Sequence, residues 1–283
     1  MSTHIPASVV LQFWGLTANP YDPQGTIGAT VAQTESMRSI VEFVVKQADA
    51  GGLSAVLGSI GDGKTTAIRA AKRQLLRNPA RYLLIAPVTL ATGSMTPQAV
   101  GRLIFDGHGS YAPKNFSGLS KITAVIGLIE SIPSQTVLVI DEGHHLQQAT
   151  IRLIKELSDS TAKVSIILAA HHHAFMGRLA KQDSKDLQER IEVGRIMVPQ
   201  SLGLEDARRI VEQRRALVEG TPEVPDEVLR EILAQNGNPL GLLSMCWQLL
   251  EEAALQNERT LNVRLLRLLR QRLSTGTERR VRR

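Results

Sequence analysis

Gly58-Ser59-Ile60-Gly61-Asp62-Gly63-Lys64-Thr65 follows a short apolar run, Leu53 to Leu57, and opens a stretch of helical periodicity that reaches about Leu76. The octapeptide fits the pattern Gly, four residues, Gly, Lys, then Ser or Thr, which is the signature of a phosphate-binding loop. Its chemistry follows from its composition: glycines let backbone N–H groups turn inward around an anion, and the helix that begins there points its positive end at the same place. Lys64 is expected to neutralise the outer phosphates, and Thr65 to set its hydroxyl on Mg²⁺. Together with Thr66, these residues form the expected ATP-binding set.

Downstream, the apolar run Thr136 to Ile140 ends in Asp141-Glu142. A strand that delivers two carboxylates to the C-terminal edge of an open sheet places them where ligands bind in such sheets. Asp141 is expected to hold Mg²⁺ through water, and Glu142 to orient and deprotonate the attacking water. Just past two strand-like runs lie His144-His145 and His171-His172-His173. Their spacings fit no standard zinc pattern. His171, at the tip of its strand, is either in reach of the γ-phosphate or the attacking water, or a solvated loop residue.

Two more short runs rich in Leu, Ile and Val, Tyr82 to Ala86 and Val164 to Ala169, alternate with helical patterns over Thr96 to Phe105, Gly118 to Ser131 and Thr150 to Asp159. Such alternation predicts a parallel sheet covered on both faces. From about Ser201 the pattern turns wholly helical, over Glu205 to Val218, Asp226 to Ala234, Pro239 to Gln256 and Leu261 to Leu273. Gln12 to Tyr21, broken by Gly and Pro, reads as an irregular arm carrying apolar anchors.

With 283 residues the chain has room for one large and one smaller domain. The single cysteine, Cys246, sits in an apolar helical pattern, which excludes a disulfide framework and suits a reducing compartment. No apolar run approaches the ~20 residues of a membrane span, and the N-terminus lacks a signal-peptide pattern, so a cytoplasmic protein with no membrane partner is expected. The net charge of +6 favours a polyanionic partner. Much of the excess lies at the C-terminus, in Arg264, Arg267, Arg270, Arg272, Arg279, Arg280, Arg282 and Arg283. That end reads either as a solvated tail or as a phosphate-binding or partner-docking segment.

The arm Phe13-Trp14-Gly15-Leu16 with Asn19-Pro20-Tyr21, the phosphate loop, Asp141-Glu142-Gly143-His144-His145-Leu146 and Asn236-Gly237-Asn238-Pro239 occur in the order found in one family. Over roughly residues 10 to 260 the chain resembles the AAA+ ATPases of the ExeA, TniB, TnsC and MuB group. The resemblance implies an α/β fold with a five-stranded parallel P-loop sheet flanked by helices, and a C-terminal all-helical lid domain. The corresponding division is an arm over 1–33, an ATPase core over 34–200, a lid over 201–273 and a basic tail over 274–283. It also implies assembly of copies into a ring or filament with ATP at each junction, where a neighbour supplies an arginine. Arg190 occupies the matching place, with Arg178 as the fallback.

Where many relatives carry a lid arginine, this sequence has Leu240. Lys114 and Lys121 flank the connection in which similar proteins place pore-lining loops, so they become the candidates for contact with DNA phosphates. The implied function is ATP hydrolysis coupled to duplex DNA binding and transposase recruitment in transposition. The alternatives are an ExeA-like role in secretion or a stand-alone signalling or defence ATPase.

Overall fold

The computed structural model describes residues 5–22, 32–88, 96–110, 119–179, 191 and 195–281. By internal contacts the chain divides into two compact units, one of Ser36–Pro199 and one in which Met1–Glu35 groups with Gln200–Arg283.

In the first unit, five strands form one parallel sheet: β1 (Gly52–Gly58), β2 (Tyr82–Val88), β3 (Gln135–Ile140), β4 (Val164–His171) and β5 (Ile196–Met197), in spatial order β2-β3-β4-β1-β5. Side chains alternate across a strand, and each strand here sends its two faces into different cores. Leu53, Ala55 and Leu57 of β1 share a layer with Leu138 and Ile140 of β3 and Leu168 of β4. Val56, Val137, Val139 and Ile167 point into the opposite layer.

The first layer is covered by α4 (Pro97–Gly107), α5 (Leu119–Glu130), α6 (Gln148–Ser160) and α7 (His172–Leu179), and the second by α2 (Glu35–Ala50) and α3 (Lys64–Leu75). α6 shows why these segments are helical: Thr150, Ile151, Leu153, Ile154 and Leu157 recur at one, two and three residue steps and all are buried. α4 starts at Thr96, whose hydroxyl accepts the Ala99 N–H at 3.2 Å, with Pro97 at the first helical position.

The second unit is helical: α1 (Ala7–Trp14), α8 (Leu204–Leu217), α9 (Asp226–Leu233), α10 (Pro239–Leu255) and α11 (Val263–Val281). Its core unites Val10, Trp14, Leu16 and Tyr21 with residues of α8 to α11. The Trp14 indole N–H donates to the Leu250 carbonyl at 3.2 Å, and the Arg259 guanidinium lies 4.0 Å from the Phe13 ring centroid. The buried Cys246 thiol is pushed up to about 12 by desolvation. The Asn236-Gly237-Asn238-Pro239 turn does helix-starting work: the Asn238 side chain accepts the Gly241 N–H at 2.8 Å, Pro239 begins α10, and the Leu202 N–H donates to the Gly237 carbonyl at 2.8 Å.

Two segments differ from expectation. Residues 7 to 14, at the start of the stretch read as an arm, form α1, because Val10 and Trp14, four residues apart, bury one face of a helix only 8 residues long. The basic C-terminal segment continues α11 as far as Val281. Three of its arginines form ion pairs: Arg264 with Glu258 at 2.6 Å, Arg270 with Glu231 at 2.9 Å, and Arg272 with the buried Glu252. Part of the positive excess therefore ties helices together. Among the described residues no helix is long and apolar enough to cross a membrane.

Candidate functional site

The parallel register brings three strand ends to one edge of the sheet. Gly58, the last residue of β1, stands opposite His171, the last of β4, and β3, beside β4, ends at Ile140 and hands over to Asp141. The phosphate loop fills the gap between β1 and α3. Gly61 (φ 91°) and Gly63 (φ 80°) take left-handed conformations that a residue with a Cβ adopts at a cost. These two turns let α3 begin at Lys64, directly behind the loop.

Ser59 and Ile60 are exposed, whereas Gly61, Asp62, Gly63, Lys64, Thr65 and Thr66 are half-buried. The Lys64 ammonium donates to the Ser59 carbonyl at 2.7 Å and to the Gly58 carbonyl at 3.1 Å. Desolvation lowers its pKa from the ordinary lysine value, against the pull of the Asp62, Glu142 and Asp141 carboxylates. The Asp62 carboxylate accepts the Ser59 N–H from within the loop.

The loop reaches past the end of β4 to β3: the Thr65 hydroxyl donates to Asp141 Oδ2 at 2.7 Å. Asp141 is 2% exposed, and its other oxygen accepts the Glu142 N–H at 2.9 Å. Glu142 is one of two non-glycine residues at positive φ among those described, at φ 57° and ψ 37°. A bulky residue held there carries local strain of a kind that clusters at functional sites. The chain then enters a 3₁₀ turn, Gly143–His145, and Glu142 Oε2 lies 3.4 Å from His144 Nε2.

His171 sits at the tip of β4. Its N–H points at His144 Nδ1 at 3.5 Å, its own Nδ1 accepts the Ala174 N–H at 3.4 Å, and the two imidazole centroids are 6.3 Å apart. The structure thus gathers the phosphate loop, Asp141, Glu142 and His171 at one edge. Arg190 and Lys114 lie outside the described residues, as do the side chains of Lys121 in α5 and Arg178 in α7. Leu240, in the first turn of α10, is 36% exposed.

Sequence reasoning missed the Glu142–His144 pair. The signal was the acid followed two residues later by histidine, but only the left-handed turn at Glu142 brings the two side chains together.

The family described as "AAA domain" matches residues 45–176, which contain both the loop and the acid pair. No curated protein matches the sequence. Among solved structures the chain is similar to the Aeropyrum pernix ORC2 protein in its ADP form, at 13% identity over 90% of this chain and 72% of that one, with a TM-score of 0.56. It is similar to Drosophila ORC bound to DNA, at 19% identity over 95% and 68% of the two chains, with a TM-score of 0.56. A third likeness is the Aeropyrum pernix ORC1 protein in complex with DNA, at 17% identity over 90% and 68%, with a TM-score of 0.53. Identities this low speak for the fold alone. The five-stranded parallel sheet flanked by helices, with a helical C-terminal region consistent with a lid domain, is the AAA+ fold, and residues 45–176 match the AAA domain model.

Proposed function

We propose that the chain is a Mg²⁺-dependent ATPase of the TniB, TnsC, MuB and ExeA group, and that its copies assemble on duplex DNA to regulate transposition by holding target DNA and recruiting a transposase. The ATPase reading is carried by one observation: the Thr65 hydroxyl and the Asp141 carboxylate, 76 residues apart, meet at 2.7 Å beside the phosphate loop.

These residues fit the groups they are assigned. Mg²⁺ takes hard oxygen donors and retains waters, and a hydroxyl next to a buried carboxylate is such a donor set. A triphosphate needs inward N–H groups, a helix start and a cation; the left-handed turns at Gly61 and Gly63, the first turn of α3 and Lys64 supply them. Mg²⁺, when bound, would supply neutralisation of phosphate charge.

The chain's own residues do the rest. Lys64 exchanges the Ser59 and Gly58 carbonyls for phosphate oxygen. Thr65 and Asp141 would hold the metal. Glu142, exposed enough to meet solvent while its neighbour is buried, accepts a proton from the attacking water. His171, at the neighbouring strand end, contacts the γ-phosphate or that water. Arg190 of an adjacent copy spreads the charge that develops on the transferring group.

The DNA and transposition part rests on the motifs shared with that group and on the positive net charge. The Drosophila and Aeropyrum proteins of the same fold are bound to DNA in their structures, which supports carrying a DNA role to this chain. Lys114 and Lys121 are the assigned phosphate contacts. A single copy offers few such contacts, and ATP at the junctions sums them along a duplex.

An electrophoretic shift of a random-sequence duplex tests this. Binding is expected only with ATP, to be independent of sequence, and to weaken by on the order of 10³ between about 50 and 200 mM salt if about six phosphates are neutralised. Failure to bind duplex with ATP at low salt removes the transposition role and leaves the secretion or signalling roles for the same ATPase.

A further inference from the structure

Five of the seven histidines stand at the ends of the neighbouring strands β3 and β4: His144 and His145 in the turn after β3, His171 closing β4, and His172 and His173 opening α7. A run of adjacent histidines on straight strand ends cannot converge on one ion, but the turn after β3 is not straight. Its left-handed start at Glu142 folds that carboxylate back over the 3₁₀ turn, and the His144 and His145 rings come to 4.2 Å between centroids. One donor atom each from Glu142, His144 and His145 lies within 4.8 Å of the other two.

The closest pair, His144 Nε2 and Glu142 Oε2, is 3.4 Å apart. Two ligand atoms bound at 2.0–2.1 Å to a tetrahedral ion stand about 3.3–3.4 Å apart. His145 is exposed and free to rotate into the third position. Binding through His144 Nε2 moves the ring proton to Nδ1 and gives up the 3.5 Å contact with the His171 N–H, at the outer limit of a hydrogen bond.

We propose that Glu142, His144 and His145 bind a late first-row divalent ion of the Zn²⁺ class, with a fourth position left to water, and that the filled site halts hydrolysis by engaging Glu142. Two imidazoles and one carboxylate suit Zn²⁺ and Co²⁺, whereas Mg²⁺ prefers the oxygen donors at Thr65 and Asp141. The two metals therefore sort by chemistry to separate places at one sheet edge. A zinc-bound carboxylate shares its charge with the cation and is held toward it, so it is a weaker base toward water; nucleotide stays bound while turnover stops. The inhibitory half of the proposal rests on the catalytic reading of Glu142; the binding half does not.

Calorimetric titration of Zn²⁺ into the full, nucleotide-free chain, with Co²⁺ absorption as the report of tetrahedral geometry, tests the binding half. One ion per chain is expected. His145→Ala, an exposed position whose truncation spares the core, is expected to weaken binding at least about tenfold. A His172→Ala/His173→Ala double variant is expected to bind as the parent does. Equal affinity in the His145 variant, or an equal loss in the double variant, overturns the site.

Zn²⁺ is then added to chain turning over saturating Mg²⁺-ATP. Inhibition reversed by a zinc-selective chelator is expected, and its loss in His145→Ala, relative to that variant's own zinc-free rate, supports the coupling. A filled site with undiminished turnover overturns it. A chain that binds zinc but never hydrolyses ATP sinks the catalytic reading and leaves the metal site standing.

Discussion

Thr65→Val removes one hydroxyl and leaves a side chain of nearly the same shape, so its effect isolates the contact between the phosphate loop and β3. In the parent, that hydroxyl donates to Asp141 Oδ2 at 2.7 Å, while Oδ1 accepts the Glu142 N–H. Asp141 is 2% exposed, so water does not replace the lost donor. A hydrogen bond to a charged group contributes about 1.5–3 kcal/mol, and leaving the acceptor orphaned exacts that much or more. For a unit the size of residues 36–199, each kcal/mol moves the unfolding midpoint by about 2–4 °C, so a fall of about 3–12 °C is expected. The assay is thermal unfolding of the nucleotide-free protein in EDTA, followed by circular dichroism. Thr65→Ser, which keeps the hydroxyl, is expected to unfold close to the parent. An unchanged midpoint in Thr65→Val refutes the Thr65–Asp141 bond and with it the convergence of the two motifs.

Trp14→Ala empties a pocket in the helical unit and removes the indole hydrogen bond to the Leu250 carbonyl; a loss of about 3–5 kcal/mol is expected in denaturant unfolding. Unchanged stability would mean that the Phe13-Trp14 segment serves an external partner and not this core. Arg190→Ala is expected to bind ATP and hydrolyse it poorly, and to regain turnover when co-assembled with Glu142→Gln, since a mixed junction pairs one intact Glu142 with one intact Arg190. Absence of recovery at every mixing ratio, with co-assembly verified, counts against Arg190.

The sheet was legible because its strands are the kind that sequence periodicity marks: short, apolar on both faces and separated by amphipathic helices. The fifth strand was not, since Ile196–Met197 is two residues long and makes no periodic pattern. Only resemblance to a family suggested it. α1 escaped because eight residues carry too few turns for a helical period to stand out from a Gly- and Pro-broken context.

At the site, Gly58 to Thr65 and Asp141-Glu142 could be read as phosphate- and metal-binding patterns because the local backbone geometry is set by the same residues that make up the motifs. The Glu142–His144 pair depends on a positive φ at a glutamate, which no propensity favours, so only the folded chain displays it. The C-terminal arginines read as free charge, whereas Arg264, Arg270 and Arg272 find acidic partners in the preceding loop and on neighbouring helices. Partners such as Glu231, 39 residues away from Arg270, cannot be paired from sequence.

Glu142→Gln keeps the shape of the side chain and removes the carboxylate proposed to take a proton from water. Nucleotide affinity measured by filter binding and phosphate release at saturating Mg²⁺-ATP, on this variant beside the parent, bear most directly on the assignment. Affinity within a few-fold of the parent, with phosphate release slower by on the order of 10²-fold or more, is the expected result. Phosphate release at the parental rate contradicts it and removes Glu142 from the catalytic role.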